Sequence, residues 1–165
     1  MPGRDIIVIG ASAGGVQVLA DLIGDLPQDL PASVFIVIHL APFGTSAMPA
    51  ILSRSGRLAA VHPKDGETIE PGKVYVAPPD HHLIIEPDRV RISRGPTENG
   101  YRPAVDVLFR TAAQVYGPRV VGVVLTGNLD DGTAGLALIK KYRGTAVVQD
   151  PEEADYPGMP RSAIA

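Results

Sequence analysis

Residues 5–15, Asp5-Ile-Ile-Val-Ile-Gly-Ala-Ser-Ala-Gly-Gly15, constrain the fold more than any other stretch of the chain. Four β-branched residues in succession, Ile6 to Ile9, leave no polar position for a solvated face, so this run suits a strand covered on both sides. It stops at glycine. Beyond Gly14-Gly15 the apolar residues Val16, Leu19, Ala20, Ile23 and Leu26 recur at helical spacing, and Pro27 closes the segment. Ser33 to Ile38 forms a second continuous apolar run, followed by a loop through Pro42 and Gly44 and a helix from about Ser46 to Leu52. An opening of strand, helix, strand, helix is the mark of a parallel sheet.

The centre changes character, because Pro and Gly punctuate it repeatedly between positions 63 and 96. Short strands such as Lys73–Ala77 remain, and Leu83–Ile85 with Arg89–Ser93, separated by Pro87-Asp88, reads as a hairpin. An antiparallel excursion at the sheet edge is therefore expected. Helical spacing returns at Val105, Leu108, Phe109, Ala112, Ala113 and Tyr116. A further apolar strand, Val120–Leu125, then leads to a helix from about Thr133 to Tyr142 and a last strand, Thr145–Val148. Tyr156-Pro-Gly-Met-Pro160 reads as a loop. The expected fold is α/β, one domain over residues 1–165, with a doubly wound, mostly parallel, three-layered sheet and an antiparallel hairpin at one edge.

Composition excludes several chemistries. The chain has no cysteine, which removes disulfides, thiolate nucleophiles and Cys-based zinc sites, and fits a reducing compartment. A net charge of -3, with basic residues scattered, gives no phosphate-binding stripe, so no nucleic-acid partner is expected. The N-terminal apolar run is shorter than the roughly 7–15 residues of a signal peptide's core. No stretch approaches the roughly 18 apolar residues of a membrane span. A cytoplasmic protein without direct membrane insertion is expected.

The chemistry-bearing residues sit where the strands end. Gly10-Ala-Ser-Ala-Gly14 matches G-x-S-x-G between a strand and a helix, a turn that presents a serine hydroxyl, although Ser12 would serve equally as a helix N-cap. A serine needs a base to take its proton, and His39 closes the second strand at the same end of the sheet, where open α/β sheets gather functional residues. A carboxylate must then orient the imidazole. Thr126-Gly-Asn-Leu-Asp-Asp-Gly132 follows a third strand, and either Asp130 or Asp131 could instead cap the next helix. Asp131 is favoured, with Gly132 leaving the backbone free to place it. Ala13 and Asn128 are the candidate backbone N–H donors to an oxyanion. The order Ser, His, Asp differs from that of the α/β-hydrolases, so the motif does not imply that fold.

Taken together, Ile7–Gly15, His39, Tyr75-Val-Ala-Pro-Pro-Asp-His-His-Leu83, Arg102-Pro-Ala-Val-Asp-Val-Leu-Phe109, Val124-Leu-Thr-Gly127 with Asp131-Gly132, and Gly158-Met-Pro-Arg161 resemble the catalytic domain of the bacterial chemotaxis protein-glutamate methylesterase CheB. The resemblance runs nearly end to end. It implies hydrolysis of γ-glutamyl methyl esters on the cytoplasmic helices of chemoreceptors or another methylated protein, with release of methanol and a second activity that deamidates receptor glutamine. It places the catalytic serine, histidine and aspartate on Ser12, His39 and Asp131 and implies no cofactor. Well-known members carry Thr after the nucleophile and Met in the oxyanion loop, where this chain has Ala13 and Asn128. They also carry an N-terminal receiver domain and continue past the Met-Pro-Arg segment into a final helix. The chain is expected to lack both and, without the receiver domain, to lack control by phosphorylation within the chain.

His81 and His82 beside Asp80 could suggest a metal, but adjacent strand residues face opposite ways and no helical His pair completes a site, so no metal is expected. His82 and Arg102 are candidate substrate-lining residues, and Arg102 and Asp106 are also suited to holding the insert and the next helix in place. A dinucleotide-binding module fits less well. Its glycine fingerprint needs Gly where Ser12 stands, and its ribose-binding acid is replaced by His39. A signalling scaffold that binds receptor helices or a kinase without turnover fits the sequence as well.

Overall fold

The computed structural model describes residues 3–12, 14–39 and 47–165. Six parallel strands form one sheet: β1 (Ile6–Ala11), β2 (Ser33–Ile38), β3 (Ala59–Val61), β4 (Lys73–Val76), β7 (Val120–Val124) and β8 (Thr145–Val148), in spatial order β3-β4-β2-β1-β7-β8. The remaining two, β5 (His82–Glu86) and β6 (Arg89–Ser93), pair antiparallel with each other. The central strands are buried on both faces, as their unbroken apolar runs require. Ile9, Ala11, Ile36 and Ile38 pack with α1 (Gly15–Gly24) and α2 (Met48–Ser55) on one face. Ile6, Val8, Phe35 and Val37 pack on the other with α3 (Val105–Tyr116), α4 (Thr133–Lys141) and the hairpin. The result is the three-layered α/β fold expected from sequence.

Three details differ from that expectation. The central region is not an antiparallel excursion throughout: β4 pairs parallel with β2 and β3 inside the main sheet. The hairpin is a sheet of its own rather than an edge of the large one, with Leu83, Ile85 and Val90 buried against residues of α3. The stretch read as a C-terminal loop becomes α5 (Gly158–Ile164) from Gly158 onward. Pro160 is tolerated there because it lies in the first turn, where backbone N–H groups have no helical acceptor.

The strand order reverses at the centre. From β1 the chain moves outward through β2 to the β4 side, then returns to add β7 and β8 on the opposite flank. The carboxyl ends of β1 and β7 thus meet at the switch point, where loops diverge to opposite faces and leave a crevice. Ser12 follows β1, His39 follows β2, and the 126–132 loop follows β7.

Candidate active site

Ser12 is fixed by its backbone. Its N–H donates to the carbonyl of Thr126 at 2.9 Å, and its own carbonyl accepts from Gly15 N–H at 2.9 Å, which closes the turn into α1. Gly14 has φ 78, and a Cβ there would press on Asp155, Tyr156 and Thr126, so glycine is required on both counts. Gly127 passes equally close to Ser12. A Cβ on Gly127 would meet the Met159 sulfur and stand 2.8 Å from the Ser12 Cβ. His39 is held at the neighbouring strand end, its N–H donating 3.1 Å to the Ala11 carbonyl, one residue before Ser12.

The His39 and Asp131 side chains meet. His39 Nε2 lies 2.7 Å from Asp131 Oδ2, with 5% and 0% of the two side chains exposed. Oδ2 also accepts the Val105 N–H at 2.6 Å. The other oxygen, Oδ1, accepts from Asp106 N–H at 3.0 Å and Asn99 Nδ2 at 2.9 Å. Two of these donors belong to the first turn of α3, whose free N–H groups favour an anion. Burial pushes the Asp131 carboxyl up, but the hydrogen bonds from His39, Val105, Asp106 and Asn99 outweigh it and hold its pKa below the ordinary value. An ionised Asp131 can only accept, so His39 Nε2 is the donor of this bond, and in the neutral imidazole the lone pair falls on Nδ1. That Nδ1 is buried and has no hydrogen-bond partner among the described residues.

Neither acid of the 126–132 loop caps α4 with its side chain. Asp106 does that work from α3: its Oδ1 accepts from Gly132 N–H at 3.0 Å and Gly135 N–H at 2.7 Å, while Oδ2 accepts from Asn99 Nδ2 at 2.6 Å. Burial raises the Asp106 pKa, against the opposing hydrogen bonds from Gly135 and Asn99. Asn128 is exposed beyond β7, and its backbone N–H carries no hydrogen bond among the described residues. Leu129, next to it, has φ 66 and is 65% exposed, an uncommon conformation for a bulky residue. Ala13 lies outside the described residues.

The two residues expected to line a substrate surface are engaged elsewhere. His82 is 3% exposed. Its Nε2 bonds the Pro96 carbonyl at 2.7 Å and its Nδ1 accepts from Ala104 N–H at 3.2 Å, so it ties the loop before α3 together. Arg102 donates twice to Asp80 Oδ1, at 3.0 and 2.8 Å, and to the Gly95 carbonyl at 3.2 Å, which anchors the same loop to the hairpin. Each is a brace: both nitrogens of His82 are engaged, and every nitrogen of Arg102 bonds Asp80 or a backbone carbonyl. His81 turns back on the Pro79 carbonyl at 2.7 Å. Among the described residues no group of three potential ligands converges on a metal position, and no helix is long and apolar enough to cross a membrane.

Sequence reasoning missed two residues of this site. Asn99 joins both buried acids, and the Tyr101 ring lies flat on the His39 imidazole, with centroids 3.6 Å apart and planes 3° from parallel. The signal was present in Asn99-Gly100, the dipeptide favoured by tight hairpin turns.

Comparison with known proteins places the chain. The CheB methylesterase family profile matches residues 7–165. A Methanosarcina mazei protein named protein-glutamate methylesterase/protein-glutamine glutaminase 2 is 40% identical over 169 residues, covering 98% of this chain and 46% of that relative, so the chain spans about half of its length. A relative from Leptospira interrogans is 42% identical over 161 residues, covering 97% of this chain and 83% of its own. The crystal structure of the Thermotoga maritima CheB methylesterase catalytic domain superposes with a TM-score of 0.92 at 36% identity, covering 99% of this chain and 88% of that one. With a parallel sheet of the same fold and a profile match from β1 to α5, the chain belongs to the CheB methylesterase family.

Proposed function

We propose that this chain is a serine esterase domain that hydrolyses γ-methyl esters of glutamate on chemoreceptor helices or another methylated cytoplasmic protein, and deamidates glutamine by the same route. Relatives named for both activities support the substrate class. The observation that carries the chemistry is the state of His39: Nε2 is committed to Asp131, Nδ1 is buried and unbonded among the described residues, and the His39 backbone is tied to Ala11, the residue before Ser12.

In this reading His39 Nδ1 takes the Ser12 proton as Oγ attacks the ester carbonyl. Asp131 holds the imidazole in the Nε2–H form and stabilises the imidazolium. The carbonyl oxygen becomes an oxyanion facing the backbone N–H groups of Ala13 and Asn128. Collapse breaks the C–O bond to the methoxy group, His39 returns the proton, and methanol leaves. Water then attacks the acyl-enzyme with His39 again as base, releasing the free glutamate carboxylate and restoring Ser12. A glutamine side chain would follow the same path with ammonia as leaving group. The mechanism uses no cofactor or metal.

A fluorophosphonate should label the wild-type protein at Ser12 and should fail on Ser12→Ala and His39→Ala, and wild type should release methanol from methylated receptor. Labelling that persists in Ser12→Ala, or wild type that neither labels nor releases methanol, would refute the reading. A dinucleotide-binding module would instead gain thermal stability with NAD.

A further inference from the structure

We propose that the turn Glu98–Tyr101 is a positioning clamp for the His39–Asp131 pair, in which Asn99 fixes the carboxylate and Tyr101 fixes the plane of the imidazole. The inference rests on the reading of His39 as the base, and extends the site to residues that act through His39 and Asp131.

The turn is rigid for local reasons. Asn99 and Gly100 both have positive φ, 55 and 80, the pattern of a two-residue hairpin turn in which Asn-Gly is favoured. Glu98 and Tyr101 close it reciprocally, N–H to carbonyl, at 3.0 and 2.8 Å. Arg110, on α3, grips Glu98 with both terminal guanidinium nitrogens, at 2.9 and 2.7 Å. The turn is thereby tied to the helix whose first turn already holds Asp131.

Two side chains project from this frame onto the two members of the pair. Asn99 Nδ2 has two hydrogens and two acceptors, Asp131 Oδ1 at 2.9 Å and Asp106 Oδ2 at 2.6 Å. One amide thus sets the distance between two buried carboxylates and occupies an oxygen of Asp131 that His39 does not use. Tyr101 acts on the other member. A single hydrogen bond through Nε2 lets the imidazole swing about that bond, which would sweep Nδ1 through an arc. A ring stacked 3.6 Å away and within 3° of parallel removes that freedom and shields one face from water. An electron-rich face also favours the imidazolium that forms when His39 takes a proton. The Tyr101 hydroxyl makes no hydrogen bond among the described residues, so the ring alone is assigned the role.

The test uses the whole chain, with Tyr101→Phe, Tyr101→Leu and Asn99→Ala. One readout is hydrolysis of a small activated ester, with kcat and KM separated. The other is the ¹⁵N spectrum of the His39 imidazole, assigned by its loss in His39→Ala, which reports the tautomer whether or not the protein turns over. Tyr101→Phe should keep wild-type kcat within about threefold and a single Nε2–H tautomer. Tyr101→Leu and Asn99→Ala should lower kcat roughly 10- to 100-fold with KM little changed, and give averaged imidazole signals from mixed tautomers or orientations. If Tyr101→Leu unfolds, Tyr101→Met takes its place in both measurements. Wild-type kcat and tautomer in Tyr101→Leu and Asn99→Ala would overturn the proposal, as would Tyr101→Phe being as damaging as Tyr101→Leu. Wild type without esterase activity, but with a tautomer that the variants disturb, would sink the esterase reading and leave the clamp standing.

Discussion

The first turns of α3 and α4 are built alike, and each receives a buried carboxylate from the other's side of the site. Asp131, from the loop before α4, sits on the N–H groups that open α3, and Asp106, from the opening of α3, sits on those around the start of α4. Asn99 donates to both. The acids nonetheless titrate in opposite directions, Asp131 below the ordinary value and Asp106 above it. The difference lies in the remaining partner. Asp131 gains a hydrogen bond from the His39 imidazole, whereas the hydrogen bonds to Asp106 come from neutral amides and the negative charge of Asp131 stands against it. Two similar helix ends therefore hold one carboxylate against His39 and the other against amide N–H groups.

Exchanging the acids one at a time should break this symmetry. The largest effect is expected from Asp131→Asn. An amide nitrogen cannot accept, so the two donors on whichever oxygen it replaces, Val105 and His39 or Asp106 and Asn99, lose their acceptor, and the imidazole loses the charge that sets its tautomer. The rate of methanol release should fall on the order of 10⁴-fold, measured on folded protein. A rate within tenfold of wild type would show that Asp131 holds only the helix.

Asp106→Asn should do the reverse. It costs a helix cap and sets its new NH₂ against the amide of Asn99 or the N–H groups of α4, so denaturant unfolding should register a loss of about 1–3 kcal/mol. The activity of the folded fraction should stay within about tenfold. A large loss of rate without loss of stability would move Asp106 into the catalytic machinery.

The pH dependence of stability separates the two further. Asp131, with its folded pKa lowered, contributes stability that is present above the unfolded value of about 3.8 and is lost as pH falls through the folded one. Asp106, with its folded pKa raised, contributes most below about 3.8 and loses that contribution as pH rises through its folded value. The stability difference between wild type and Asp131→Asn should thus grow as pH rises from the acid side toward that value. The difference for Asp106→Asn should shrink as pH climbs above it. Parallel curves for the two variants would contradict the opposite directions of the shifts.

Much of this arrangement could be read from the chain, for reasons that also explain what could not. A strand buried on both faces must be apolar throughout, so β1, β2 and β7 announce themselves, and the apolar spacing over Val105–Tyr116 marks α3. His39 and Asp131 could be picked out because a parallel sheet delivers its strand ends to one rim. By contrast β3 is three residues, Ala-Ala-Val, too short for any period, and the parallel pairing of β4 is made by backbone groups that every residue carries. His82 was misplaced because a histidine with both nitrogens engaged looks, in sequence, like any other. The Asn99-Gly100 turn is visible as a turn, but its place over His39 is a matter of tertiary contacts, among them the Arg110–Glu98 pair, which joins residues 12 apart across a loop.

The smallest effect should come from that pair, and it bears on both acids at once. Arg110→Gln removes a fork that is itself more than a third exposed, with Arg110 at 37% and Glu98 at 38%, so solvent already screens much of its strength. The loss of stability should stay below about 1 kcal/mol, a fall in Tm of no more than about 4 °C. Because Asn99 touches Asp131 and Asp106 alike, a loosened turn should weaken both contacts. Methanol release should drop a few-fold while the opposite pH trends of the two acids persist, since the helix N–H groups and His39 remain in place. If Arg110→Gln instead matched Asp131→Asn in rate, the helix ends would count for less than the turn, and the asymmetry between the acids would have to originate at Asn99.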